Sequence, residues 1–266
     1  MNPDRYIVVL VCILAAFCNS CEKYFDNREV LTSQNHALAE CTFLFAAHSA
    51  LTAVSPEGAL LHNNCFMPVS NGNMVSIDFG YPGCEGLMQM PASGKIDVEL
   101  RADTMILTFK NFLLKGYAPD GTVWLINEGL NNQGNPVYHM LVKDGTLTAT
   151  REQSGEEYQL KWSCDYYLER VDTGASSLST DDMYKITGHA SGVNQEGRSF
   201  EATIEQALQK FVNCRWVGSG ISRIRPEGLR TRQLNYGSAC STTANCCDNY
   251  AREEDMPWAD PTVLMK

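Results

Sequence analysis

The sequence predicts a mainly β protein, an antiparallel meander forming a sandwich or a strongly curled sheet, with one N-terminal helix. Apolar residues alternate with polar ones in segment after segment between Ile96 and Ile204, as in Tyr158, Leu160 and Trp162. Strand side chains point to opposite faces in turn, so this period of two is typical of strands with one buried face. Turn sequences separate the segments, and one convincing helical spacing lies near the N-terminus. Together these observations favour a meander over βαβ units.

Composition limits the classes of partner. The 266 residues are 44% hydrophobic and 20% charged, which is ordinary for a globular protein. The formal net charge is −10, and an acidic surface repels nucleic acid and anionic lipid. We therefore expect no nucleic-acid partner.

The N-terminus has the pattern of an export signal. Arg5 precedes the apolar run Ile7–Phe17, which is too short to span a membrane, since a spanning helix needs about 20 residues. Ser20 and Cys21 follow, as in a bacterial lipoprotein signal whose cysteine is lipidated. The sequence thus predicts lipidation at Cys21 and a lipid-anchored protein. Cleavage by an ordinary signal peptidase, giving a secreted soluble protein, is the alternative.

This signal divides the chain into four parts. Residues 1–20 are predicted to be the lipoprotein signal peptide, and residues 21–32 a polar tether. Residues 33–249 are predicted to form the β-rich domain with its N-terminal helix. Residues 250–266 are predicted to be a polar C-terminal tail.

Cysteine usage agrees with export. Of eleven cysteines, Cys12 and Cys18 leave with the signal and Cys21 takes the lipid, so eight remain. An even number in an oxidising compartment favours disulfides. The spacing of zinc ligands is missing from the sequence, which predicts no metal and no cofactor.

The predicted helix starts near Ser33, a plausible N-cap, and ends at Pro56-Glu57-Gly58. Its apolar stripe includes Ala37, Leu38, Cys41, Leu44, Phe45 and Leu51. A short turn is predicted at Glu205–Lys210.

Two turn sequences predict hairpins, because Asn-Gly and Asp-Gly favour turns that match strand twist. Asn71-Gly72 places Cys65 opposite Asp78, and a turn at Tyr81-Pro82-Gly83 returns Cys84 to Cys65. These two cysteines are therefore predicted to form a disulfide.

Asp144-Gly145, read as a two-residue loop, places His139 beside Thr150 on the wetter face. No acid lies opposite His139 in that register. We therefore predict that the protein has no hydrolytic centre built on His139.

Several short motifs carry a family resemblance. In the first half these are Ile77-Asp78-Phe79-Gly80, Gly83-Cys84 and Ser93-Gly94-Lys95-Ile96. In the second half they include Cys214-Arg215-Trp216, Pro226-Glu227-Gly228, Asn235-Tyr236-Gly237 and Cys247-Asp248-Asn249. With them the chain resembles a family of outer-membrane or cell-surface lipoproteins common in Bacteroidota.

The resemblance implies a location and a β fold, and no activity. It leaves the partner of Cys214 open between Cys240 and Cys247. The chain departs from the family after Cys247-Asp248-Asn249, where a closing alternating strand is usual and Tyr250–Asp255 is polar.

Motifs of common enzymes are missing from the sequence, including the Gly-x-Ser-x-Gly elbow and the His-Glu-x-x-His zinc motif. Trp124 and Trp258 are the candidates for stacking on a ligand, whereas Trp162 belongs to an apolar pattern and is assigned to the core. We predict a non-catalytic binding or scaffold protein of the cell envelope, with a glycan or a partner protein as its ligand. An envelope hydrolase and a structural or adhesion subunit are the alternatives.

Overall fold

A computed structural model describes residues 29–55, 65–81, 84–85, 90–151, 154–172, 182–212, 214 and 217–237, and the backbone of residues 250–254 and 262–264. One helix, α1 (Leu31–Val54), precedes the strands. The strands in chain order are β1 Met67–Asn71, β2 Met74–Asp78, β3 Cys84–Glu85, β4 Pro91–Arg101, β5 Thr104–Leu114, β6 Ala118–Leu130, β7 Pro136–Thr150, β8 Glu157–Val171, β9 Met183–Val193, β10 Ser199–Phe211, β11 Ser219–Pro226, β12 Arg232–Asn235, β13 Tyr250–Glu254 and β14 Thr262–Leu264.

The strands form one antiparallel meander. The sheet order is β1-β2-β4 and then each strand in sequence to β14, with the short β3 paired to β4. Helix α1 contacts β2, β4, β5, β6, β8 and β14, so the sheet curls around it without closing into a barrel. The predicted fold class, a mainly β antiparallel meander with one N-terminal helix, is confirmed, and of the two predicted arrangements the structure has the curled sheet and not the sandwich.

The core lies between α1 and the concave inner face of the sheet. Phe43 of α1 stacks on Trp162 of β8 with ring centroids 5.3 Å apart and planes 9° apart. Gly145 and Gly192 lie on either side of Trp162 in the neighbouring strands. A Cβ on Gly145 would come within 2.7 Å of the Phe43 ring, and one on Gly192 within 2.7 Å of the Phe200 ring. The assignment of Trp162 to the core is confirmed, since its exposed fraction is 0%.

By length and composition α1 qualifies as a possible membrane span, but most of it is buried inside the protein. It begins at Leu31, so Leu31 and Thr32 belong to the helix and not to the predicted tether. The predicted N-cap is wrong, because Ser33 lies buried inside the first turn. The Glu29 carboxylate accepts the Thr32 N–H at 2.7 Å instead, and Arg232 of β12 donates to the same carboxylate at 3.1 Å.

The hairpin predicted at Asp144-Gly145 is wrong. Strand β7 passes through this dipeptide as a bulge between Val142 and Gly145 and continues to Thr150. His139 consequently lies opposite Tyr167 of β8, and Thr150 lies opposite Glu157.

Three smaller predictions also need correction. Asn71 pairs with Met74, so Asp78 lies opposite Met67 and not opposite Cys65. Glu205–Lys210 is part of strand β10, with a register shift between Thr203 and Leu208. The predicted C-terminal tail contains strands β13 and β14, which pair with each other and, through β13, with β12.

Candidate functional site

The outer face of the sheet, turned away from α1, carries rows of half-buried apolar and aromatic side chains. Register places Ile106 of β5, Trp124 of β6 and Leu141 of β7 in one row across the strands. Ile126 and Tyr167 lie in the next row with His139 between them. Neighbouring strands are about 4.8 Å apart, so these side chains are cross-strand neighbours. We call this set the outer strip: Ile106, Trp124, Ile126, His139, Leu141 and Tyr167.

The outer strip is separate from the core. Its side chains lie outside the hydrophobic cluster around α1, because their strand neighbours Leu107, Val123, Leu125 and Met140 fill the inner face. Tyr167 is 44% exposed. Contiguous apolar surface on a solvent-facing sheet is typical of a binding site.

The rings of His139 and Tyr167 stack face to face in the outer strip. Their ring centroids lie 4.4 Å apart and their planes differ by 4°. The exposed fraction of the His139 side chain is only 16%, because Tyr167 covers one face of the imidazole. The pair thus forms an aromatic stack in which Tyr167 is the exposed ring.

Two carboxylates flank the imidazole of His139, and the Asp165 carboxylate lies within hydrogen-bonding distance of it. Its Nε2 lies 2.9 Å from Oδ1 of Asp165, and its Nδ1 lies 3.7 Å from Oε1 of Glu128. The expectation that no acid lies beside His139 is therefore wrong. The cause is the bulge at Asp144-Gly145, which lets β7 continue and pairs it with the strand that contains Asp165.

This arrangement differs from a catalytic triad. A histidine acting as general base directs one nitrogen at an acid and the other at a nucleophile. In His139 both ring nitrogens face carboxylates. The geometry favours an oriented ring with acceptor oxygens at its edges.

A second group of functional residue types lies inside the protein, around Glu40 of α1. The Tyr166 hydroxyl donates to Glu40 Oε1 and the Tyr236 hydroxyl donates to Glu40 Oε2, both at 2.6 Å. The indole N–H of Trp162 donates to Nδ1 of His36 at 3.2 Å, which fixes His36 as the neutral tautomer carrying its proton on Nε2. That Nε2 lies 3.6 Å from Glu40 Oε1.

Burial shifts the pKa values of the two tyrosines and of His36 in this group. Burial raises the pKa of Tyr166 and of Tyr236 well above the usual range, and the nearby Glu40 raises the pKa of both further. Burial lowers the pKa of His36, and Glu40 offsets part of that decrease. Glu40 is 1% exposed and His36 0%, so a ligand in solvent does not reach them. We assign this group to the packing of α1 against the sheet.

The structure places the other predicted site residues as follows. Cys65 and Cys84 are joined in a disulfide with their Cα atoms 5.4 Å apart. Cys214 is buried beside Met183 and Phe211. Trp258, Cys21, Cys240 and Cys247 lie outside the described residues. Over the described part of the chain, His, Cys, Asp and Glu side chains form no group suited to a metal.

The sequence pattern identifies Trp124 as a candidate but does not predict the His139–Tyr167 stack near it. Tyr166 and Tyr167 are consecutive in β8, and Tyr166 continues the buried alternation from Leu160 and Trp162. That pattern already places Tyr167 on the outer face. Comparisons of the chain with family models, curated proteins and solved structures found no match.

Proposed function

We propose that this protein is a lipid-anchored protein of the cell envelope that binds a glycan, without catalysis, at the outer strip. The observation that carries the proposal is the parallel stack of His139 and Tyr167 beside Asp165 and Glu128.

The chemistry of the strip suits a sugar ring. A pyranose has an apolar C–H face and a rim of hydroxyl groups. The exposed Tyr167 ring offers a flat apolar surface for that face. Carboxylate oxygens have several lone pairs each, so Asp165 can accept a sugar hydroxyl while it is hydrogen-bonded to His139, and Glu128 can accept another. An apolar surface with a few convergent polar groups is the general pattern of small-ligand sites.

The location rests on the N-terminal sequence. Arg5, the apolar run Ile7–Phe17 and Ser20-Cys21 support export and lipidation, and the resemblance to Bacteroidota lipoproteins supports the outer membrane. Replacing Cys21 with Ala should move the protein from the membrane fraction to the soluble fraction. An unmodified mature Cys21 in an intact-mass measurement would contradict the anchor.

A glycan array followed by calorimetry tests the binding site. Tyr167→Ala should weaken binding of the selected glycan by roughly tenfold, the effect of losing about 1.4 kcal/mol of stacking and burial. Tyr81→Ala is the matched control, since Tyr81 is 70% exposed and lies outside the strip. Unchanged affinity in Tyr167→Ala, or equal loss in both variants, contradicts the assignment of the strip.

A hydrolase is the second candidate, and the His139–Asp165 hydrogen bond is what favours it. The two candidates differ in the effect of His139→Ala. If the protein cleaves its glycan and this variant abolishes cleavage while thermal stability is retained, the enzyme interpretation replaces the binding interpretation.

A further inference from the structure

A furrow lies on the outer face of the sheet next to the outer strip. Its first row follows the register Ser163, Ser191, Glu201 and Arg225 across β8 to β11. Each of these residues is two positions along its strand from a residue of the row that contains Asp165. The furrow therefore continues the surface of the outer strip along the sheet, toward the N-terminal end of β8 and the C-terminal end of β9.

Small side chains form the floor of this furrow. Ser163, Ser191, Val193 and Ser199 line it, with Gly192 beneath. The furrow is open to solvent on its outer side and has a volume of about 650 Å³. Cavities of roughly 300–1,000 Å³ are the usual size for small-molecule sites. The furrow therefore has room for a sugar residue with its substituents.

Charged side chains of both signs border the floor. Lys161 and Asp144 lie toward one side, and Glu227 lies at the β11 end. Arg225 forms an ion pair with Glu201 across β10 and β11. Among the described residues, Lys161, Asp144 and Glu227 form no ion pair with one another or with other side chains. One cation and two carboxylates thus remain available to a ligand.

Asp144 has a strained backbone at this place. Its φ is 50°, in the left-handed region that non-glycine residues seldom adopt, and it occupies the bulge of β7. Its N–H donates to the Ser163 hydroxyl at 2.9 Å, which ties the bulge to the furrow floor.

We infer that the furrow selects a zwitterionic sugar, an amino sugar that also carries a carboxylate. This inference rests on the proposed function and specifies which glycan residue the protein recognises. The ammonium group pairs with Asp144 of β7, and the carboxylate pairs with Lys161 of the neighbouring strand β8. The floor serines exchange hydrogen bonds with sugar hydroxyls.

Four monosaccharides separate the charge contributions: glucose, glucosamine, glucuronic acid and muramic acid. Each is titrated into the whole mature protein, and binding is measured by NMR. Muramic acid, which has both charges, should bind at least about fivefold more tightly than glucose, because two charge-assisted pairs form. Asp144→Asn should remove the advantage of both amino sugars, and Asn also tolerates the left-handed backbone of this position. Lys161→Gln should reduce muramic acid binding to the level of glucosamine. Lys143→Gln, an exposed lysine on the same face beyond the furrow, is the control and should change neither.

The outcomes distinguish this inference from the proposed function. Equal binding of muramic acid and glucose, or a preference that survives Asp144→Asn and Lys161→Gln, overturns the furrow assignment. If a neutral oligosaccharide still binds through Tyr167 in that case, the proposed binding at the outer strip stands without the furrow. Conversely, muramic acid that binds through Asp144 and Lys161 upholds the furrow even if Tyr167→Ala has no effect on neutral glycans.

Discussion

The hydroxyl of Tyr166 donates a 2.6 Å hydrogen bond to Oε1 of Glu40, which lies 126 residues earlier in the chain. The Tyr236 hydroxyl donates to the other oxygen of the same carboxylate. Both tyrosines belong to the sheet side of the core, so one carboxylate of α1 fixes the helix relative to β8 and to the residue that follows β12. A buried polar group of this kind stabilises the fold only when its partners are present.

Removing either donor tests this arrangement. Tyr166→Phe and Tyr236→Phe should each lower the free energy of unfolding by about 1–3 kcal/mol, because each leaves a buried acceptor with one hydrogen bond fewer. The double variant should deviate from additivity, since both hydroxyls act on Glu40. Urea denaturation gives the three values. Tyr81→Phe is the control at an exposed tyrosine, and a loss there as large as in the core would contradict the assignment.

The space around Trp162 gives a second prediction. A Cβ at Gly192 would overlap the carbonyl oxygen of Lys161 and come within 2.7 Å of the Phe200 ring. Gly192→Ala should therefore destabilise the protein by several kcal/mol, with a displaced strand or aromatic ring as the cause. Gly197→Ala is the comparison, because Gly197 has a φ of 84° but open space around its Cα. That variant carries backbone strain alone and should cost only about 1 kcal/mol.

Much of the fold follows from local sequence pattern, and the failures have one physical origin. The alternation in Tyr158–Trp162 identifies β8 because the period of two depends only on the strand itself. Asp144-Gly145 leads to a wrong prediction of a hairpin, because Asp144 has the positive φ of a turn residue although it lies in a bulge. Whether the chain reverses or continues there depends on pairing with β8, which the dipeptide does not encode.

The same reason limits prediction of the site. The sequence identifies Trp124 as a candidate for ligand stacking because tryptophan is rare and this one lies in an apolar run. The stack of His139 on Tyr167 depends on the register between β7 and β8, and a wrong turn at Asp144 changes that register. The local sequence also does not predict the capping of α1 by Glu29, because Arg232, which donates a hydrogen bond to this carboxylate, belongs to the distant strand β12.

The disulfide between Cys65 and Cys84 closes a loop with a sequence separation of 19 and attaches β3 to the start of β1. Loop entropy of this size corresponds to about 3 kcal/mol of stabilisation. Replacing both cysteines with alanine should lower stability by that amount, and a reductant should destabilise the native protein more than the double variant. Non-reducing peptide mapping should recover the two cysteines in one linked fragment. A free thiol at either position would contradict the bridge.

His48 of α1 gives the protein a stability that depends on pH. Burial lowers the pKa of His48 to about 3, with smaller contributions from the nearby cations Lys210 and Arg170. Its Nε2 lies 3.4 Å from the Thr52 hydroxyl, and its ring meets the Tyr184 ring edge-on. The imidazole is therefore neutral in the folded protein across the ordinary pH range, whereas in the unfolded chain it titrates near its usual pKa of 6.5.

The sign of the effect follows from proton binding. Between about pH 6.5 and pH 3 the unfolded chain binds a proton at His48 that the folded protein does not bind. The stabilisation is thus complete above the unfolded pKa and decreases as pH falls through this window, by about 1.4 kcal/mol per pH unit where the proton difference is one. His36, whose pKa burial also lowers, acts in the same direction.

Substituting His48 with Gln removes this titration and keeps a polar side chain near Thr52. The free energy of unfolding of His48→Gln, measured by urea denaturation between pH 7.5 and pH 4, should fall less steeply with acid than that of the native protein. At pH 7.5 His48 is neutral in both states, so the difference there measures the packing cost of the substitution alone. Subtracting it isolates the proton contribution at lower pH. If the two curves stay parallel down to pH 4, His48 gains its proton in the folded protein, and its burial beside Arg170 and Lys210 does not control its charge.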